Sequence, residues 1–196
     1  QKPIQWDLPT GVELPKDKAE IAFLTVYELA SLIKEKKISS VELTQLYIDR
    51  IKQYGDTLEC IITLTEDLAM AQAKRADEEI AKGNYRGYLH GIPYGLKDLF
   101  SVPEYKTTWG SVPYKDQVLD ETATVYKKLE EAGAVLVAKL SLGELAMDNV
   151  WFDGETKNPW DLTQGSSGSS AGSAAATSAG LLAFAIGTET WGSIVS

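Results

Sequence analysis

At 196 residues, 44% hydrophobic and 24% charged, the chain has enough apolar content to bury the core of one domain or of part of a larger one. Its formal net charge of −9 argues against nucleic acid or an anionic membrane as the main partner, because phosphate binding needs a basic surface. No apolar run reaches the length of a membrane-crossing helix.

Residues 1–22 carry proline and charge without a period, so 1–24 reads as an arm lying over the surface. Thr25 followed by Glu28 is a capping-box signature and predicts a helix to about Lys36. Ser40 and Glu42 begin a second helix, with Val41, Leu43, Leu46, Tyr47 and Ile51 on one apolar stripe. Leu58–Leu64 reads as a strand, and it carries the single cysteine, Cys60, as a buried small apolar residue. Glu66–Lys82 is alanine-rich with alternating charge and predicts a long exposed helix. Ile92–Leu96 is a short strand after a turn at Gly91. Thr122–Ala132 is a helix closed by Gly133, and Ala134–Lys139 a buried strand. Helices alternating with apolar strands imply an α/β fold with helices covering a mostly parallel sheet. The sequence contains no internal repeat.

The last segment, residues 165–196, holds the most functional information. From Gly165 to Gly180 fifteen of sixteen residues are Gly, Ala or Ser. A flexible linker has that composition, but here it runs into a helix (Ala171–Ala179), a strand (Leu181–Ile186) and a second tight turn (Gly187–Ser193). Small residues in two turns let backbone approach backbone or ligand, and they leave N–H groups facing a cavity, as an anionic transition state requires. The segment therefore reads as an active-site wall.

One cysteine and one histidine, His90, exclude a disulfide framework and metal sites built on several histidines. His90 precedes the turn Gly91-Ile92-Pro93, where a lone histidine is commonly structural. A serine nucleophile would then need a different base, and a lysine with a lowered pKa is the alternative. Lys97 ends an apolar strand and is the best candidate; burial there would disfavour its ammonium form. The competing reading is a surface lysine paired with Asp98.

These residues lie in blocks that resemble the amidase signature family, amide hydrolases with a Ser–cis-Ser–Lys triad that include the A subunit of the glutamine-dependent tRNA amidotransferase. The blocks are His90–Asp98 (HGIPYGLKD), Thr107–Ser111 (TTWGS), Ala138–Ala146 (AKLSLGELA), Asn158–Trp160 (NPW), Gly168–Ala174 (GSSAGSA) and Gly187–Ile194 (GTETWGSI). Their order and spacing make the resemblance specific over Thr25 to the end.

The resemblance implies an α/β/α sandwich around a mixed twisted sheet. Residues 25–196 would be the N-terminal portion of a single amidase domain, cut shortly after the nucleophile. It implies Lys97 as base, Ser169 as bridging serine after a cis peptide, and Ser193 as acyl nucleophile. Backbone N–H groups of Thr190, Trp191 and Gly192 would form the oxyanion hole. No cofactor, metal or nucleic acid is expected; the substrate would be a small amide or an amidated peptide. Two departures stand out. Trp191-Gly192 replaces the family's Gly-Gly, and Ile194-Val195 replaces its Ile-Arg. An amidotransferase A subunit and a non-catalytic binding protein on the same scaffold are the alternatives. A homodimer stays open. The compartment does too, cytoplasmic or exported, because the chain opens at Gln1 without a recognisable targeting segment.

Overall fold

The computed structural model describes residues 7–196; the expected arm over residues 1–6 lies outside the described residues. The rest of the arm is held by hydrogen bonds to the helix and turn beneath it. Ser31 Oγ donates to the Pro9 carbonyl at 2.7 Å and Lys37 Nζ to that of Val12 at 2.6 Å. A short helix, α1 (Lys18–Ile21), is capped by Asp17 and buries Ile21.

Helix α2 (Val26–Lys34) and helix α3 (Ser40–Leu58) both start with complete capping boxes, Thr25 with Glu28 and Ser39 with Glu42. In each, the hydroxyl takes the N–H three residues on and the glutamate returns to the cap N–H, satisfying two otherwise unpaired donors. The expected stripe on α3 is buried at Leu43, Leu46, Tyr47 and Ile51, while Val41 is only partly covered. The strand expected over Leu58–Leu64 is shorter. Leu58 still belongs to α3, Glu59 closes it in a left-handed conformation (φ 49°), and β1 spans Ile61–Leu64. Helix α4 (Glu66–Ala81) is amphipathic rather than exposed, with Ala69, Gln72, Ala73, Ala76 and Ile80 buried.

Strand β2 (Pro93–Lys97), helix α5 (Thr124–Glu131) and strand β3 (Val135–Leu140) follow within a few residues of their expected bounds. Two small hairpins come next, β4 (Val150–Trp151) with β5 (Gly154–Glu155), and β6 (Lys157–Asn158) with β7 (Asp161–Gly165). Helix α6 (Ala171–Ser178) leads to β8 (Phe184–Ile186). Leu181 and Leu182, expected in that last strand, are core residues of the preceding turn.

The main sheet has the order β1-β3-β2-β8. β2 runs parallel to both β3 and β8, and β1 is antiparallel to β3, so the sheet is mixed. Alternation along β3 sends Val135 and Val137 into a core with α3, α4 and α6, while Leu136 joins Tyr94, Leu96, Tyr126 and Leu129 in a core with α5. Helices thus cover both faces, and β2, buried along its whole length, carries the site at its end. His90 is fully buried; its Nδ1 accepts from Arg86 N at 3.0 Å and its Nε2 lies 3.1 Å from Glu79. That is the structural role expected of it. Burial pushes the Cys60 thiol up to about 12, as befits a core residue.

Ser39→Ala should lower stability by about 1 kcal/mol and Ser39→Gly by only a few tenths, as read by denaturant unfolding of the intact protein. Equal losses for the two variants would show that the Ser39 hydroxyl does not cap α3.

Candidate active site

Lys97 is the last residue of β2 and has no solvent exposure. Its Nζ lies 2.9 Å from Ser169 Oγ, 3.1 Å from Ser170 Oγ and 2.7 Å from Thr188 Oγ1. Ser169 Oγ is in turn 2.9 Å from Ser193 Oγ, and Ser169 N donates to the same oxygen at 3.4 Å. The Gly168–Ser169 peptide is cis. Residues 97, 169 and 193, brought from three parts of the chain, therefore form an unbroken amine–hydroxyl–hydroxyl line.

The pairing of Lys97 with Asp98 does not occur. Neighbours on a strand point to opposite faces, and Asp98 turns away to a buried ion pair with Lys139 at 2.5 Å. Lys97 is left with hydroxyl partners.

The small residues make the assembly fit. A Cβ on Gly172 would lie 2.6 Å from the Cys60 carbonyl and the Ser141 nitrogen, and one on Gly168 would collide with the Asp148 carbonyl. With both absent, α6 starts flush against β3 and the serine turn sits against the loop that carries Gly143. Gly143 N donates to the Ser169 carbonyl at 3.3 Å, and Ser170 N to that of Ser193 at 3.2 Å, so the two serine turns are held together by backbone.

Ser170 and Thr188, given no role by sequence, lie inside the two signature blocks. Ser170 Oγ donates to the Thr188 carbonyl and accepts from its N–H, both at 3.0 Å. Its proton is thus committed, and towards Lys97 it can only accept. Ser169 has no such backbone commitment for its hydroxyl, which makes it the better carrier of a proton.

Burial lowers the Lys97 pKa to about 8, against a smaller upward pull from Glu189. Desolvation wins because the nearest partners are neutral. Glu189 is held below the usual carboxylate range by backbone donors of the turn that carries Ser193. It accepts from Gly192 N at 2.5 Å, Ile194 N at 2.7 Å and Val195 N at 3.3 Å. Of the N–H groups expected to form an oxyanion hole, that of Gly192 is therefore engaged here, while Thr190 and Trp191 are exposed.

Trp191 fits its turn without strain. The positive φ of the turn falls on Gly192 (95°) and not on the tryptophan, whose side chain is 95% exposed. Val195 is exposed as well. A groove of about 410 Å³ lined by Ser170, Ser173, Phe184 and Ile194 opens beside the turn. Among the described residues, no group of three or more His, Cys, Asp or Glu is placed to hold a metal ion, and no helix is long and apolar enough to cross a membrane.

Comparison with known proteins bears on the family and the fold. The family model described as Amidase matches residues 42–196. The A subunit of glutamyl-tRNA(Gln) amidotransferase from Coxiella burnetii is 45% identical over 174 residues, covering 87% of this chain and 36% of the relative. That from Pseudomonas aeruginosa is 44% identical over a similar span. Among solved structures, native peptide amidase from Stenotrophomonas maltophilia superposes with a TM-score of 0.82 at 37% identity, covering 89% of this chain and 38% of that one. A fatty acid amide hydrolase gives a TM-score of 0.85 at 30% identity, with 92% and 32% covered. The chain spans about a third of the length of these relatives.

The Lys97 amine should titrate with a midpoint near 8 in the intact protein, read from its 13Cε shift after selective lysine labelling and assigned with Lys97→Met. Glu189→Gln should lower that midpoint by removing the one carboxylate that favours the ammonium. A midpoint above 10, as for free lysine, would mean that the amine is solvated.

Proposed function

The chain belongs to the amidase signature family, and on that premise we propose that the intact protein is a serine amide hydrolase whose relay runs Lys97–Ser169–Ser193. Residues 25–196 are taken as the N-terminal portion of its single amidase domain. The observation that carries the proposal is the pair of 2.9 Å contacts, Lys97 Nζ to Ser169 Oγ and Ser169 Oγ to Ser193 Oγ, around an amine with no carboxylate partner.

Neutral Lys97 accepts the Ser169 proton while Ser169 accepts that of Ser193, and Ser193 Oγ attacks the amide carbonyl. The C–O bond forms as the carbonyl π pair moves onto oxygen. The resulting oxyanion faces backbone N–H groups of Thr190, Trp191 and Gly192, the last once it is released from Glu189. Collapse breaks the C–N bond, and the proton held by Lys97 returns through Ser169 to the leaving nitrogen. Water, deprotonated by the same relay, then cleaves the acyl ester and restores Ser193. The substrate class is a small amide or an amidated peptide.

A second reading, an A subunit acting with partner subunits, is favoured by the 45% identity to such subunits. Val195 in place of the family arginine and the net charge of −9 favour the free-standing hydrolase. Turnover of simple amides by the intact protein without partners separates the two.

Ser193→Ala should reduce amide turnover by about 10³-fold or more and abolish labelling by a fluorophosphonate, with little change in unfolding. Labelling that persists, or that maps to Ser166 or Ser170, would remove Ser193 from the role of nucleophile.

The neutral amine is the active form, so kcat/KM should rise about tenfold per pH unit below 8 and level off above it. Lys97→Arg should be inactive throughout, since guanidinium stays protonated. An active Lys97→Arg enzyme would eliminate lysine as the base.

A further inference from the structure

Asp98 follows Lys97 directly in the chain, and that placement poses a problem for a lysine base. A carboxylate beside Lys97 would hold it protonated. The fold instead places Asp98 on the other face of the strand, fully buried, where it meets the equally buried Lys139 at 2.5 Å. Thr108 donates to the same carboxylate through its N–H at 2.7 Å and its hydroxyl at 2.5 Å. Lys139 Nζ donates in addition to the Lys106 carbonyl at 2.7 Å and to Thr107 Oγ1 at 3.2 Å. Both ions are thus supplied with partners from a single three-residue segment, Lys106–Thr108.

That segment leads towards the nucleophile side. Ser111 Oγ donates to Glu144 at 2.7 Å, and Leu145 N to the Trp109 carbonyl at 2.8 Å. Gly143, next to Glu144, holds the Ser169 carbonyl. β2 and β3 are fixed to each other at the same point, where Lys97 pairs with Leu140 in the parallel register and Asp98 N donates to the Leu140 carbonyl at 2.9 Å. A pair of charges that costs a large desolvation penalty therefore sits where the base, the bridging serine and two strand ends converge.

We propose that the Asp98–Lys139 ion pair is a positioning device for Lys97: Lys139 neutralises the carboxylate adjoining the base, and the pair pins the end of β2 to the Lys106–Thr108 segment, which leads to the loop that supports Ser169. This rests on Lys97 being the base. The two residues act through Lys97 and do not touch substrate.

The other charges near Lys97 leave this assignment intact. Glu189, after β8, faces it from the nucleophile turn and is engaged by backbone donors. Glu144 is tied to Ser111, and Asp148 accepts from Asn149 N at 2.9 Å. From α6 and the serine turn only hydroxyls reach the amine.

The test is a charge cycle in the intact protein, reading the Lys97 midpoint from its 13Cε shift and the acid limb of kcat/KM. Lys139→Met leaves Asp98 uncompensated and should raise the midpoint by on the order of one unit, lowering the rate at pH 7 about tenfold but not on the alkaline plateau. Asp98→Asn leaves a lone cation and should shift the midpoint down by a similar amount. Asp98→Asn combined with Lys139→Met should return it towards the wild-type value, and Asp98→Glu should leave it in place. All variants are measured in sucrose, which favours the compact state. For a single variant that remains unfolded, Thr108→Val stands in, keeping both charges while removing one donor from Asp98; its midpoint should rise by a smaller amount. Single variants that shift the midpoint in the same direction, or that leave it unmoved, would overturn the proposal. The NMR midpoint is read without turnover, so an inactive wild-type protein counts against the amidase reading alone.

Discussion

Lys97 is an amine removed from water and surrounded by three hydroxyl oxygens. An ammonium in that setting loses its hydration and gains only neutral dipoles, so the proton is held less tightly than in solution. The same hydroxyls remain good partners for the neutral amine, which can donate to two and accept from the third. Ser170, with its proton committed to the Thr188 carbonyl, can only accept from the amine, and Ser169 is then free to lie between Lys97 and Ser193. The chemistry proposed for the site follows from this one desolvated group.

The sheet makes such an environment attainable. A central strand flanked by two parallel neighbours is buried on both faces, and the alternation of side chains separates consecutive charges onto opposite faces. Lys97 and Asp98, adjacent in sequence, therefore occupy different surroundings, one among hydroxyls and the other in an ion pair with Lys139. Removing either partner of such a pair would leave an uncompensated buried charge, which costs far more than the pair contributes.

The turn that carries Ser193 is built by a different principle. Its backbone N–H groups gather around the Glu189 carboxylate, which holds the turn in one shape. Gly192 provides the positive φ of this turn. The exposed Trp191 beside it can therefore vary in size without disturbing the path of the chain.

Much was legible in the sequence, and the reasons are local. The capping box at Thr25, the apolar run of β3 and the small-residue turns are set by neighbours within a few positions, where steric and hydrogen-bonding rules apply directly. The ordered blocks that resemble the amidase signature family named Lys97, Ser169 and Ser193, and the fold brings those three within hydrogen-bonding reach. Residues whose roles depend on distant partners were not legible. Glu59 ending α3 and shortening β1, the buried face of α4, and the hydroxyl roles of Ser170 and Thr188 all depend on contacts made across the fold. The clearest case is Asp98. By sequence it is the natural partner of Lys97, but strand alternation and a lysine 41 positions away in β3 take it elsewhere, because a charge pairs with whatever the tertiary structure places against it.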